Sequence, residues 1–558
     1  MNRYILHMYH TSGWSLFTVE FLLFMEQETG FQFNDTIRLL GDYLELQRSG
    51  SLCLVLNEPW FLHHRDQLTA SSLDELFKQI EQEKIITKPS GIAPFILEDD
   101  RVYTHKFWSY EQRTVDWISE QLSLPLSTAP NPSTREWIEL NSDEKQRKAV
   151  YSSLSHRFSI ITGGPGTGKT FTVLQVLSTL LMESDEPLSI GLAAPTGKAA
   201  RRLAQSIEEG KTHLNVEERV HEQMPSAVHT AHKLLGSRGL NQGFTYNIEN
   251  PLPYDVLVVD EASMLDIVVW TALISAMKPE TRLILLGDSH QLSSVEAGSV
   301  LGDLVDGLTT IQEDLSVENL TELKTAHRFS GSPDVLDLAN AIKGGEYEQA
   351  MTIVNASGQV HQSAISNETI TDLVDRISQT WLTGGAIQLL CALRKGPLGS
   401  IAFNQRIEQQ VKSKSQIPDN QEWYEDRPII ITKNDAMNNL RNGQVGKVIN
   451  REGEWVLAIE EIGEHIPVTN LTAFEPAYAL TIHKSQGSEY DDVAIVLDKQ
   501  PNKVLFRELL YTGVTRAKKS VLILSDDEIL AHTIAQRQPR TSGIDLKIEH
   551  RFQKKRKL

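Results

Sequence analysis

Gly163-Gly164-Pro165-Gly166-Thr167-Gly168-Lys169-Thr170 combines chain-bending glycines with one lysine and one terminal hydroxyl, at a spacing suited to a polyphosphate. The glycines let successive backbone N–H groups converge on an anion, Lys169 reaches the outer phosphates, and the Thr170 hydroxyl is a ligand for Mg2+. An apolar β-prone run, Phe158 to Ile161, enters the loop, and an apolar helical stretch, Phe171 to Met182, leaves it. A chance glycine-rich turn would lack that strand-to-helix setting, so ATP or GTP is the expected ligand.

Hydrolysis needs further groups. Asp260 and Glu261 follow the buried-strand pattern Val256–Val259. Asp260 suits holding Mg2+ through water, and Glu261 suits orienting and deprotonating the attacking water. Such a pair alone is more often a solvated loop; behind a phosphate loop the catalytic role is expected. Leu283–Leu292, LILLGDSHQL, is a second strand ending in polar residues, where Gln291 would sense the γ-phosphate and Asp288 fits a loop cap equally well. Arg328, in LKTAHRF, and Arg516, in YTGVTRAKKS, are candidates to stabilise charge on the γ-phosphoryl oxygens.

These residues need a scaffold. The chain has 558 residues, 40% hydrophobic and 23% charged, which suits a soluble protein of about three or four domains. Two cysteines, Cys53 and Cys391, exclude a disulfide framework or a cysteine-ligated cluster and fit a reducing cytoplasm. The apolar run Ser15–Met25 is broken by Glu20 and lacks a small-residue cleavage site, so neither a signal peptide nor a membrane span is expected. The net charge is −19, yet residues 1–143 hold 21 Asp plus Glu against 11 Lys plus Arg. That concentration of acid points the N-terminal region at another protein or at solvent and leaves any nucleic-acid track to the remainder. The basic ending RFQKKRKL is a solvated tail or a nucleic-acid contact.

Residues 1–120 read as mainly helical, with a helix over Ser72–Ile85 and a hairpin over Pro94–Tyr103 turning at Glu98-Asp99-Asp100. Leu122–Thr134 is rich in Pro, Ser and Thr and reads as a linker, followed by a helix over Ser142–Ser153 capped by Ser142. The β-like runs Ser189–Ala194, Val256–Asp260 and Leu283–Gly287 alternate with helical segments, which argues a parallel sheet covered by helices. Ser206–Val228 and Gly236–Tyr254 read as surface insertions, the latter with a short β-like piece, Phe244–Ile248. A second series contributes Ala386–Leu393, Val493–Leu497 and Ser520–Leu524. Within it, residues 417–474 carry the short β-like pieces Pro428–Thr432, Gly446–Ile449 and Trp455–Ile459, expected to form a small β-barrel.

In order, Gln146, GGPGTGKT, APTGKAARRL (Ala194–Leu203), VVDEASM (Val258–Met264), GDSHQL, TAHRF, LTIHKSQGSEYDDVAIVL (Leu480–Leu497) and YTGVTRAK (Tyr511–Lys518) resemble the motif series of superfamily one DNA helicases, most closely the RecD type, the alpha subunit of exodeoxyribonuclease V. The resemblance runs from about residue 140 to 525 and more weakly through ILEDDRVYTHKFWSYEQ, which is similar to the RecD partner-binding domain. It implies an α/β fold of two RecA-like P-loop NTPase domains with parallel sheets, a mainly helical N-terminal domain and an SH3-like β-barrel insertion in the second half. The implied divisions are a partner-binding domain over 1–120, a linker over 121–141, a first RecA-like domain over 142–335 with an insertion near 236–254, and a second over 336–558 with the barrel near 417–474.

The implied activity is that of an ATP-dependent 5′→3′ DNA helicase, a subunit of exodeoxyribonuclease V acting in double-strand break repair by recombination. Its cofactors would be ATP and Mg2+, and its partners RecB-like and RecC-like subunits and DNA carrying single strands or duplex ends. By resemblance Gln146 reads the adenine edge. Gly163, Gly164, Pro165, Gly166, Thr167, Gly168, Lys169 and Thr170 hold the phosphates, while Gly487 and Glu489 approach the nucleotide from the second half. Thr170 and Asp260 hold the metal, and Arg328 and Arg516 act as arginine fingers. Thr196, Lys198, Thr230, His232, Thr481, His483 and Ser485 grip single-stranded backbone, a task suited to side chains that bind phosphates without reading sequence; His232 and His483 also suit a packing role. No nuclease carboxylate–lysine cluster stands out and no space follows the last motif for such a domain, so nuclease activity is expected from a partner chain. The length leaves no room for the longer N-terminal region of stand-alone RecD-like helicases. Rival readings are a P-loop ATPase that remodels protein or RNA, and a scaffold with a vestigial ATPase.

Overall fold

The computed structural model describes residues 3–556 except 32, 123–129, 240–242, 316–317, 325–331, 436, 460–462 and 539. The phosphate loop leaves a six-stranded sheet in the order Leu320–Leu323, Phe158–Gly163, Arg282–Gly287, Val256–Val259, Ile190–Ala194, Val228–Thr230, with every neighbouring pair parallel. Phe158–Gly163 is buried along its whole length, which is why it reads as a continuous apolar run. Successive side chains pack into different layers. Ile161, Val256 and Val258 meet the helices Glu144–Ser155, Lys169–Glu183 and Gly197–Lys211, whereas Phe158, Ile160, Leu257 and Val259 meet Ile267–Ala276, Val300–Leu315 and His105–Gln121.

The second sheet runs Val360–Ser363, Ala517–Leu524, Tyr490–Val496, Ile387–Cys391, Ala479–Thr481, again all parallel. The expected insertion is a five-stranded antiparallel sheet, Glu464–Pro467, Glu454–Ile459, Val445–Arg451, Pro428–Ile431, Phe474–Pro476, around its own core of Ile429, Ile431, Val448, Leu457, Ile459 and Ile466. In the N-terminal region five α-helices among the described residues, from Arg3–Ser12 to Leu73–Gln82, accompany a four-stranded sheet, whose hairpin pairs Phe95–Glu98 with Arg101–Thr104 across Asp99 at φ 53°.

Four expectations change. Part of the supposed linker is a helix, Pro132–Asn141, capped by Asn131, because proline fits a first helical turn whose N–H groups lack intrahelical partners. Asp143 rather than Ser142 caps Glu144–Ser155, forming a reciprocal box with Gln146. Within the insertion Gly236–Tyr254, Phe244 makes a single bridge to Ser237 in place of a strand. The chain end expected in the second half returns to the first. Ile544–Arg556 lies along Val300–Leu315 and His105–Gln121, and Ile544, Ile548 and Phe552 enter their core.

Sequence-specific polar contacts fix that return. Glu111, fully buried, accepts the Gly543 N–H at 2.9 Å and pairs with Lys547 at 2.9 Å. Arg540 donates to the Glu296 and Gly298 carbonyls at 2.8 and 2.7 Å. In the basic ending, Arg551 pairs with Asp116 and Phe552 is buried, so this part of the ending is structural.

Candidate nucleotide cleft and nucleic-acid groove

The phosphate loop turns through Gly166 at φ 76° and Gly168 at φ 84°, values open to glycine, before Lys169 starts its helix. Lys169 Nζ donates to the Gly163 and Gly164 carbonyls at 2.7 and 3.0 Å, and the Thr167 hydroxyl braces the loop on the Gly164 carbonyl at 2.8 Å. Facing it, Asp260 Oδ1 accepts the Glu261 N–H at 2.8 Å, and Glu261 holds a left-handed backbone, φ 51° and ψ 39°. A non-glycine residue in that region is strained, and such strain gathers at functional sites. Burial, then the neighbouring Glu261 charge, pushes the Asp260 carboxyl up to about 6.

A cleft of about 330 Å3 collects groups from both halves. Pro165, Gly166, Gly168, Lys169, Thr170, Asp260, Glu261 and Gln291 come from the first, and Glu489 and Arg516 from the second. Arg516 is 3% exposed; its Nε donates to the Thr512 carbonyl at 3.0 Å and its Nη1 to the Ser488 carbonyl at 3.2 Å. Burial lowers its pKa, an effect opposed by Glu261 and Asp288. Gly163, Gly164 and Thr167 fall outside this lining, Gly164 and Thr167 facing a neighbouring cavity, and a Cβ on Gly164 would come within 3.2 Å of the Tyr511 hydroxyl. Thr170 and Asp260 offer oxygen donors alone, which suits Mg2+. Among the described residues no three His, Cys, Asp or Glu side chains cluster as a protein-only metal site.

Two sequence candidates, Gln146 and Gly487, lie outside the cleft lining, and a third falls on residues that are not described. Gln146 is 6% exposed and outside the cleft lining, and its amide oxygen accepts the Asp143 N–H at 3.1 Å. Gly487 lies behind the cleft, where its carbonyl accepts Arg202 Nη1 at 3.3 Å. Arg328 lies outside the described residues.

The structure adds Arg202 and Tyr511 to the sequence candidates. Arg202 lines the cleft and pairs with Glu489 across the seam. Tyr511 donates its hydroxyl to Asp288 Oδ2 at 2.8 Å, and the same oxygen accepts the Gln291 amide at 3.3 Å. Asp288 also accepts the His290 N–H, as a loop cap does, and through Tyr511 it links the two halves, which the sequence did not indicate. The Leu292 N–H on the Thr512 hydroxyl, 2.9 Å, and the Gln486 amide on the Leu292 carbonyl, 3.0 Å, extend this junction. A Thr-x-His-Lys repeat in the sequence marks both halves: Thr230 Oγ1 accepts the Lys233 N–H and Thr481 Oγ1 the Lys484 N–H, each capping a turn after a parallel strand.

Thr196, Thr230 and His232 line a groove of about 600 Å3 against the antiparallel insertion, which contributes Asn434, Arg441 and Asn442. Arg441 packs over Gly197, where a Cβ would meet its Cδ at 2.8 Å. The other four nucleic-acid candidates lie outside that lining. Lys198 donates to the Ser488 hydroxyl, and Thr481 caps its turn. Ser485 is fully buried and donates to the Ile482 carbonyl at 2.7 Å. Burial, then Arg540, lowers the pKa of His483.

Residues 146–297 match the model of an AAA domain, and residues 476–524 that of a UvrD-like helicase C-terminal domain. The RecBCD enzyme subunit RecD of Haemophilus influenzae is 34% identical over 527 residues, 82% of this chain and 82% of that one. The Mycolicibacterium smegmatis RecD subunit is 33% identical over 89% of this chain and 90% of its own. The ATP-dependent RecD2 DNA helicase of Deinococcus radiodurans is 33% identical over 67% of this chain and 48% of its own. A crystal structure of Pif1 helicase from Candida albicans matches with 16% identity and a TM-score of 0.40, over 75% of this chain and 99% of that one.

Proposed function

This chain belongs to the RecD family of RecBCD enzyme subunits, and on that premise we infer that it is an ATP-dependent DNA helicase that works as the RecD-type motor of such a complex. One observation carries the reading: Lys169, Asp260, Glu261 and Gln291 from one half share a single cleft with Arg516 and Glu489 from the other. Lys169 and the loop N–H groups hold the outer phosphates. Glu261 accepts the proton of the attacking water, and Arg516 faces the charge that spreads over the γ-phosphoryl oxygens. Thr170 and Asp260 would hold Mg2+, which would supply charge neutralisation at the phosphates.

Arg516 is fixed to its own half by two carbonyls, so an attraction between its guanidinium and the γ-phosphate draws the halves together, and hydrolysis releases them. The Gln291–Asp288–Tyr511 contacts carry the same change to the helix Arg507–Val514 of the second half. Single-stranded DNA lies along the groove of Thr196, Thr230, His232 and Arg441, with the Thr481 and His483 turn as its counterpart. Alternating grips advance the strand by about one nucleotide per cycle, against a base-pair stack of about 1.4 kcal/mol. Arg328 is the second arginine finger, and Gln146 the adenine contact.

The resemblance supports 5′→3′ movement, a role in double-strand break repair, and RecB-like and RecC-like partners that bring the nuclease, with the acidic residues 1–120 as the docking domain and the insertion as an SH3-like barrel. The resemblance supports a cytoplasmic site of action; among the described residues no helix is long and apolar enough to cross a membrane. Unwinding of 5′-tailed and 3′-tailed duplexes, by the chain alone and with its partner subunits, tests this reading. ATP-dependent opening of the 5′-tailed substrate is expected, and 3′-tailed preference by this motor would refute it.

A further inference from the structure

We propose that the inorganic phosphate formed in the Lys169 cleft leaves through a second, basic cavity behind it, with Arg202 and Glu489 as the gate. This rests on the reading of the cleft as an ATP-hydrolysis site. The second cavity, about 690 Å3, is lined by Lys198, Arg201, Gln205, Ser488, Tyr490 and Lys518, and Arg202 and Glu489 belong to both linings. The wall between the γ-phosphate machinery and this cavity therefore includes one ion pair. Lys198, Arg201, Arg202 and Lys518 set four cations around the single carboxylate of Glu489. The side chain of Lys518 is 46% exposed, and Gln205 is exposed, so the cavity reaches solvent.

The gate has the chemistry of an anion exchange. Arg202 Nη2 pairs with one Glu489 oxygen and Nη1 donates to the Gly487 carbonyl, while Lys518 Nζ lies 3.9 Å from the other Glu489 oxygen. A guanidinium fork fits a phosphate as well as it fits a carboxylate. The pair is partly buried, Arg202 at 38% and Glu489 at 13% side-chain exposure, so a phosphate that displaces the carboxylate keeps the guanidinium paired instead of leaving it desolvated and alone. Hydrolysis adds water across the bond between the β- and γ-phosphates and frees a dianion beside Arg202. The dianion displaces Glu489 from Arg202 and passes to Arg201 and Lys518, after which Glu489 pairs with Arg202 again and closes the way back. A polynucleotide backbone is the other anion such a cavity would attract. The shared wall with the cleft favours phosphate, and the groove of Thr196, Thr230 and His232 shares no residue with this cavity.

The test is the Arg201→Gln/Lys518→Gln variant of the full-length protein with saturating single-stranded DNA. Single-turnover quench-flow measures ATP cleavage, and a fluorescent phosphate sensor in stopped flow measures release. The inference expects cleavage within twofold of wild type, release slowed at least fivefold relative to cleavage, and single-stranded DNA affinity within twofold. Release that keeps pace with cleavage overturns it. So does a loss of DNA affinity with release unaltered, which would make the cavity a DNA contact. Lys518→Gln alone, at the exposed rim, serves if the double variant does not fold, with at least a twofold lag expected and none overturning the inference. Cleavage retained in Lys169→Gln would instead refute the reading of the cleft itself.

Discussion

Replacing Tyr511 by Phe deletes one oxygen and keeps the ring. That oxygen donates at 2.8 Å to Asp288, which is 2% exposed, so water has little room to stand in. Asp288 keeps the His290 N–H and the Gln291 amide, and the Leu292–Thr512 and Gln486–Leu292 bonds persist across the junction. The loss is therefore one hydrogen bond to a buried charged group, about 1.5–3 kcal/mol. At about 1.4 kcal/mol per factor of ten, that is a fall of about 10- to 150-fold in a rate that depends on the halves moving together. Steady-state phosphate release, with and without single-stranded DNA, separates the effects: DNA-stimulated kcat falls by that factor, while the unstimulated rate changes less than about threefold. DNA stimulation within about threefold of wild type, in a variant that melts cooperatively, would refute the claim that Tyr511 and Asp288 join the halves.

Asp260 gives a pH dependence. Burial and Glu261 push its carboxyl up to about 6; a carboxyl raised in this way contributes stability below its ordinary range and loses it as pH rises through about 6, whereas Mg2+ needs the ionised form. Thus kcat/KM for ATP, which reports the free protein, falls about tenfold per pH unit below about 6, and a flat profile down to pH 5 contradicts this. Arg441→Ala lowers single-stranded DNA affinity and reduces the slope of log affinity against log salt by about 0.7, the share of one phosphate contact; an unchanged slope removes Arg441 from the groove. Trp270, 1% exposed, meets Trp117 edge-on at 5.9 Å and donates to the Thr114 hydroxyl at 3.1 Å, so Trp270→Ala lowers stability by about 3–5 kcal/mol in urea unfolding. A loss below about 1 kcal/mol would contradict the packing described.

The catalytic groups of the first half were legible because each follows a strand that is buried on both faces and so writes itself as an apolar run. Val228–Thr230 and Leu320–Leu323 write no clear apolar run because they are the short edge strands of their sheet, and Val360–Ser363 and Ala479–Thr481 likewise in the second. Arg202 and Tyr511 were inside recognised motifs, yet their roles depend on partners 287 and 223 positions away, Glu489 and Asp288, which no local pattern reveals. Arg441 carries no motif, and only the position of the insertion beside Gly197 brings it to the groove. The return of Ile544–Arg556 to the first half was hidden because its anchors, Glu111 and Arg540, are charged residues that sequence places at the surface and folding buries.

The claim that nucleotide is hydrolysed at a seam between two halves rests most directly on Arg516, which reaches the Lys169 cleft from the second half. The decisive measurement is DNA-stimulated ATP turnover of Arg516→Ala and Arg516→Lys, with nucleotide affinity measured alongside. Loss of the finger predicts a kcat at least about 10³-fold lower with nucleotide still bound, lysine failing to restore it because it lacks the fork held by Thr512 and Ser488. Turnover within tenfold of wild type in both folded variants would contradict the account.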